Sequence, residues 1–197
     1  MKIIFQNINK ELKKIGLILN DIQEMPFIEI YNKNHDWDGG YESGHGYDGA
    51  REEFYSDLNE EFDFLMQFIT INNLKKCILA PLHSYKYFEE WSDISKNDIY
   101  QILNNILKNY HINKQTQCGI DLNPNENKVI LKRFVEGGFR YISTVSFFFP
   151  EIKLIVQPWH HLNLLFFPLD YKNILFIINQ IIGKYDNLVI YEGDKRA

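Results

Sequence analysis

Cysteine is scarce in this chain of 197 residues, which has only Cys77 and Cys118. Two thiols can form at most one bridge, so a disulfide framework is excluded and the plain reading is reduced thiols in a cytoplasmic protein. Long apolar runs are missing too. The stretch 162–169 stops at Asp170, well short of the roughly 18 consecutive apolar residues of a membrane span, so no membrane partner is expected. After Lys2, the run of Ile3, Ile4 and Phe5 is too short for a signal-peptide core, and no small-residue cleavage site follows. Alanine occurs three times against 27 Ile and 17 Lys. That bias is what AT-rich codons impose, and it suits a low-GC bacterial genome.

Arginine is also rare, with four in a chain of net charge −5 and pI ≈ 5.7. A phosphate-binding face draws on clustered Lys and Arg, so nucleic acid is not an expected partner. Gly-x-Ser-x-Gly, the P-loop, the dinucleotide fingerprint, His-Glu-x-x-His and Cys-x-x-Cys do not occur. The segment 44–49 comes near the fingerprint's glycine spacing, but Asp48 would repel a pyrophosphate held at a helix N-terminus.

What remains is an ordinary globular composition, 45% hydrophobic, 24% charged and 15% aromatic. A chain of this size buries roughly 70% of its unfolded surface and needs no metal or disulfide to hold a core. Residues 7–24 place Ile8, Leu12, Ile15, Leu19 and Ile22 at helical spacing. A strand is expected at 27–31. Residues 32–49 lose all periodicity and gather five glycines, which marks a long exposed loop. Phe54, Leu58, Phe62, Leu65 and Ile69 form the stripe of a second helix, followed by a strand at 76–80 and a helix at 98–110 capped by Ser95.

The second half reads as a β-meander. Strand-like runs fall at 117–122, 128–136, 139–149 and 151–157, and Gly137-Gly138 has the signature of a two-residue hairpin turn. A further strand at 162–167, a helix at 172–183 capped by Asp170 and a strand at 188–191 complete the order. The expected fold is one α+β domain over residues 1–197, with a largely antiparallel sheet and about four packing helices. Phe147, Phe148, Phe149, Trp159, Phe166 and Phe167 are read as its core, with a ligand groove or interface as the alternative for some of them. Cys77 and Cys118 are read as packing residues.

Charge is distributed unevenly. Between 35 and 63 stand ten acids (Asp36, Asp38, Glu42, Asp48, Glu52, Glu53, Asp57, Glu60, Glu61 and Asp63) against Arg51 alone. That segment carries −9, which leaves +4 for the rest of the chain. A solvated helix face accounts for half of these acids; a docking surface for a basic protein accounts for their concentration. On the second account Asp36, Asp38, Glu42, Asp48, Asp57, Glu60, Glu61 and Asp63 form the partner-binding set, and the last four lie off the apolar stripe and face outward. The expectation is a non-enzymatic binding protein, of which an immunity protein meeting a basic toxin domain is the concrete version. No cofactor and no catalytic residue is expected.

The competing reading is a metal-assisted hydrolase. Asn34, Asp36 and Asp38 alternate before Gly39 as in a calcium loop, but His45 stands where a bidentate glutamate belongs. His35 and His45 could converge with His160 or His161. If the last two lie on a strand they point to opposite faces, so only one could join a site. Lys132, Arg133 and Arg140, flanking the Gly-Gly pair, are read as sheet-surface bases.

Overall fold

The computed structural model describes residues 2–4, 10, 13–14, 16, 25–33, 51–81, 86–88, 94–112 and 118–193. The strands are β1 (Lys2–Ile4), β2 (Phe27–Asn32), β3 (Cys77–Pro81), β4 (Gly119–Leu122), β5 (Val145–Phe149), β6 (Leu154–Trp159), β7 (Asn163–Pro168) and β8 (Leu188–Gly193). They form one sheet in the order β1-β4-β3-β5-β6-β7-β2-β8, and every described pairing is antiparallel. β5, β6 and β7 are the meander expected in the second half. Lys153 and Leu162, at φ 52° and 53°, turn the chain between them.

Four helices are described: α1 (Arg51–Ile71), α2 (Asp98–Asn109), α3 (Lys128–Phe139) and α4 (Tyr171–Ile182). All four pack on one face of the sheet. Alternation along the strands sends Ile28, Ile30, Leu79, Phe147, Phe149, Leu154, Val156, Leu164 and Phe166 toward the helices. From α1, Phe54, Leu58, Leu65 and Ile69 meet them as the stripe requires, and Phe68 stacks edge-on against Phe166. Phe62 is only half-buried, with Lys132 Nζ 5.9 Å from its ring centre. The opposite face buries a second cluster of Phe27, Ile78, Ala80, Phe148, Ile155, Leu165 and Phe167, to which none of the four helices contributes. The α+β class with four helices on an antiparallel sheet is therefore as expected.

The largest local correction concerns Gly137-Gly138. Residues 128–139 are helix α3, not two strands joined by a tight turn, and both glycines lie inside the helix. Their role is close approach. A methyl group on Gly138 would stand 2.7 Å from Pro158 Cβ and 2.9 Å from the Pro158 carbonyl oxygen, so α3 rests on β6 where only hydrogen fits. β5 accordingly starts at Val145 and β6 at Leu154. The cap of α2 is Asn97 instead of Ser95: Asn97 Oδ1 accepts from the amides of Ile99 at 2.9 Å and Tyr100 at 3.4 Å. Asp170 caps α4 as expected, accepting from the Asn173 amide at 3.3 Å. Cys77 and Cys118 are free and buried. The helix expected at 7–24 lies mostly outside the described residues.

Candidate functional site

α1 carries the described part of the acidic segment, and its acids divide by helical phase. The stripe that faces the sheet is wider than the apolar residues alone. Phe54, Leu58, Leu65 and Phe68 leave room between them for Asp57 and Glu61, one turn apart, and both point inward. The outward placement expected for these two is corrected: Asp57 is 3% exposed and Glu61 0%. Asn32, at the end of β2, donates through Nδ2 to Asp57 Oδ1 at 2.8 Å. Glu61 has no such partner, and neither carboxyl oxygen receives a hydrogen bond. Burial pushes Glu61 well above the usual carboxylate range, and the nearby charges of Asp57, Glu60 and Glu29 push the same way. Its neutral acid form is therefore favoured, because an ionised carboxylate there would lack both water and donors.

The remaining acids of α1 stay at the surface. Glu52, Glu53 and Asp63 are exposed and Glu60 is half-buried. Two of these are held by the segment between α4 and β8. Tyr185 Oη donates to Asp63 Oδ2 at 2.8 Å, and Asn187 Nδ2 donates to Glu60 Oε2 at 3.3 Å. These bonds fix the carboxylates in place without neutralising them, since both donors are uncharged. Burial and the Asp63 carboxylate raise the pKa of the Tyr185 phenol. Asp36, Asp38, Glu42, Asp48, His35 and His45 lie outside the described residues, so the structure brings none of them to α1.

A buried ion network was not legible from the sequence. Glu136 on α3 is 1% exposed. It receives Arg133 Nη1 on Oε2 at 2.8 Å and Tyr55 Oη on Oε1 at 3.0 Å, with Arg140 Nη1 at 3.5 Å. Arg140, itself 6% exposed, also meets Asp98 Oδ1 at 2.9 Å. Arg133 and Arg140 are thus not sheet-surface bases. Glu136 joins α1 to α3, Arg140 extends the network to Asp98 of α2, and Lys132 donates to Asn59 on the same side. The signal was present as an acid three residues after one arginine and four before another, but it has meaning only on a helix.

His160 and His161 lie in the turn between β6 and β7, not on a strand. Their rings are 4.2 Å apart between centroids, and His160 also meets Trp159 at 4.7 Å and Tyr141 at 4.9 Å. Among the described residues no group of three or more His, Cys, Asp or Glu side chains is placed to hold a metal ion.

No helix among the described residues is long and apolar enough to cross a membrane. The chain matches no family model, no curated protein and no solved structure.

Proposed function

We propose that this is a non-enzymatic binding protein that neutralises or escorts a basic macromolecule in the cytoplasm. Its contact element is the outward face of α1, with Glu52, Glu53, Glu60 and Asp63, together with the loop acids Asp36, Asp38, Glu42 and Asp48. A bacterial immunity protein is the concrete form, because acids suit a toxin domain whose own surface is built to hold phosphate. The single observation that carries this reading is the charge distribution, −9 between 35 and 63 on a remainder of +4. Charge gathered in this way attracts a basic partner along one approach and raises its association rate, which scattered charge of the same total does not.

Burial refines the contact set. Asp57 and Glu61 belong to the packing between α1 and β2, so their substitution reports on folding instead of docking. The test is affinity capture with the full chain and with a Glu52→Lys, Glu53→Lys, Asp63→Lys variant of unchanged circular dichroism. A basic protein retained by the wild type and lost by the variant supports the reading. A partner set identical for both proteins contradicts it.

A further inference from the structure

The face of the sheet opposite the helices carries the second apolar cluster, and an oblique line of polar side chains runs across it. Glu29 on β2, Asn163 on β7 and Gln157 on β6 all point to that face, since their i±2 neighbours Phe27, Leu165 and Ile155 belong to its cluster. The register sets them side by side. Leu165 pairs with Glu29 on one side and Gln157 on the other, and Asn163 pairs with Tyr31 and with Trp159. Asn163 therefore sits between two aromatic side chains on the same face, one diagonal step from Glu29.

The hydrogen bonding there is incomplete in one direction. Asn163 Nδ2 donates to Glu29 Oε1. A carboxylate only accepts, so this bond fixes which end of the amide faces Glu29, and it leaves Asn163 Oδ1 pointing away. That oxygen is buried and has no donor, in a residue only 4% exposed. The line reaches solvent at its Glu29 end: Glu29, Tyr31 and Trp159 are half-buried, and Tyr191, paired with Glu29 across β8, is 53% exposed. An acid, a carbonyl oxygen without a donor and flanking rings make a site with two adjacent acceptors and aromatic walls.

We propose that Glu29, Asn163, Trp159 and Tyr31 form a binding site for a guanidinium group. A guanidinium is planar and cationic and presents several N–H donors in a rigid fork, so one group can meet Glu29 and Asn163 Oδ1 together while its face lies against an aromatic ring. An ammonium offers the charge but not the flat face. The source is either a free arginine-like molecule or an arginine side chain of a protein, and the site stands whether or not α1 docks a partner.

The test is an NMR titration of the isotope-labelled full chain, read at the Asn163 side-chain amide and the Trp159 indole N–H. Three probes are used: N-acetyl-arginine amide, N-acetyl-lysine amide and a short capped peptide whose one charged side chain is arginine. Saturable shifts at both groups are expected with the arginine probes, with Kd at least tenfold weaker for lysine and at least tenfold weaker in Glu29→Gln. Trp159→Leu, read at Asn163 alone, gives the same answer if Glu29→Gln fails to fold. Binding of the free arginine amide marks a small-molecule site, and binding of the peptide alone marks a docking residue. No shift with either arginine probe, equal binding of lysine, or indifference to both substitutions overturns the proposal. The α1 charge-reversed variant should bind the probes as the wild type does, which separates this result from the fate of the docking reading.

Discussion

Asn32 and Asp57 share a hydrogen bond of 2.8 Å with both side chains buried, and it ties the end of β2 to the acidic helix. The bond spans the segment between them, so α1 is fixed on the sheet directly after the glycine-rich stretch. An acid of the charged segment thus contributes to architecture, while its neighbours one phase away remain at the surface.

Removing that acceptor has a defined cost. Asp57→Ala takes the carboxylate from the buried Asn32 amide and should lower stability by about 1–3 kcal/mol. Asp57→Asn keeps an acceptor and should cost less. Urea denaturation of both variants beside the wild type checks the order.

Glu61 sets a pH dependence whose sign follows from its environment. Its folded pKa lies above the ordinary value of 4.5, so the folded state holds the proton more tightly than the unfolded one. The associated stability is fully present below that value and is lost as pH rises through the folded pKa. Glu61→Gln does not titrate. Its stability relative to wild type should therefore grow with pH above 4.5, by up to about 1.4 kcal/mol per pH unit. A constant difference between pH 4 and pH 8 in chemical denaturation would contradict this environment for Glu61.

Gly138→Ala runs against simple helix propensity. In an open helix the change favours folding by about 1 kcal/mol. Here the new methyl meets the Pro158 backbone oxygen at 2.9 Å, so α3 must move off β6. A net loss of about 1–3 kcal/mol is expected by thermal unfolding, since overpacking against backbone has no side-chain relief.

Glu136→Ala should be worse. It withdraws the carboxylate shared by Tyr55, Arg133 and Arg140, and Arg140 is nearly buried. Breaking a buried ion pair from one side costs on the order of 3 kcal/mol or more. Glu136→Gln, which keeps volume and an acceptor, should recover part of that loss in the same assay.

The fold class was legible because the stripe of α1 is a strong periodic signal and β2 and β7 are short apolar runs bounded by turn residues. Two kinds of feature were not. Gly137-Gly138 carries a local turn signature that tertiary contact overrides, because the pair lets α3 approach Pro158. Misreading it hid the helical spacing of Arg133, Glu136 and Arg140. Burial of Asp57 and Glu61 could not be read because an acid on a helix is outward by default. The amide of Asn32, brought in by β2, gives Asp57 a reason to face inward. Glu29 and Asn163 meet through strand register, which no spacing within either segment reveals.

The docking account turns on one rate. With the captured basic partner in hand, association is measured for the wild type and for Glu52→Lys, Glu53→Lys, Asp63→Lys as ionic strength rises from about 0.1 M to about 1 M, where the Debye length falls from about 10 Å to about 3 Å. The account predicts a fast wild-type rate that drops with salt, a slow variant rate at low salt, and convergence of the two at high salt. A variant that associates as fast as the wild type at 0.1 M would contradict it, and the outer face of α1 would then be a solvated surface with no part in binding.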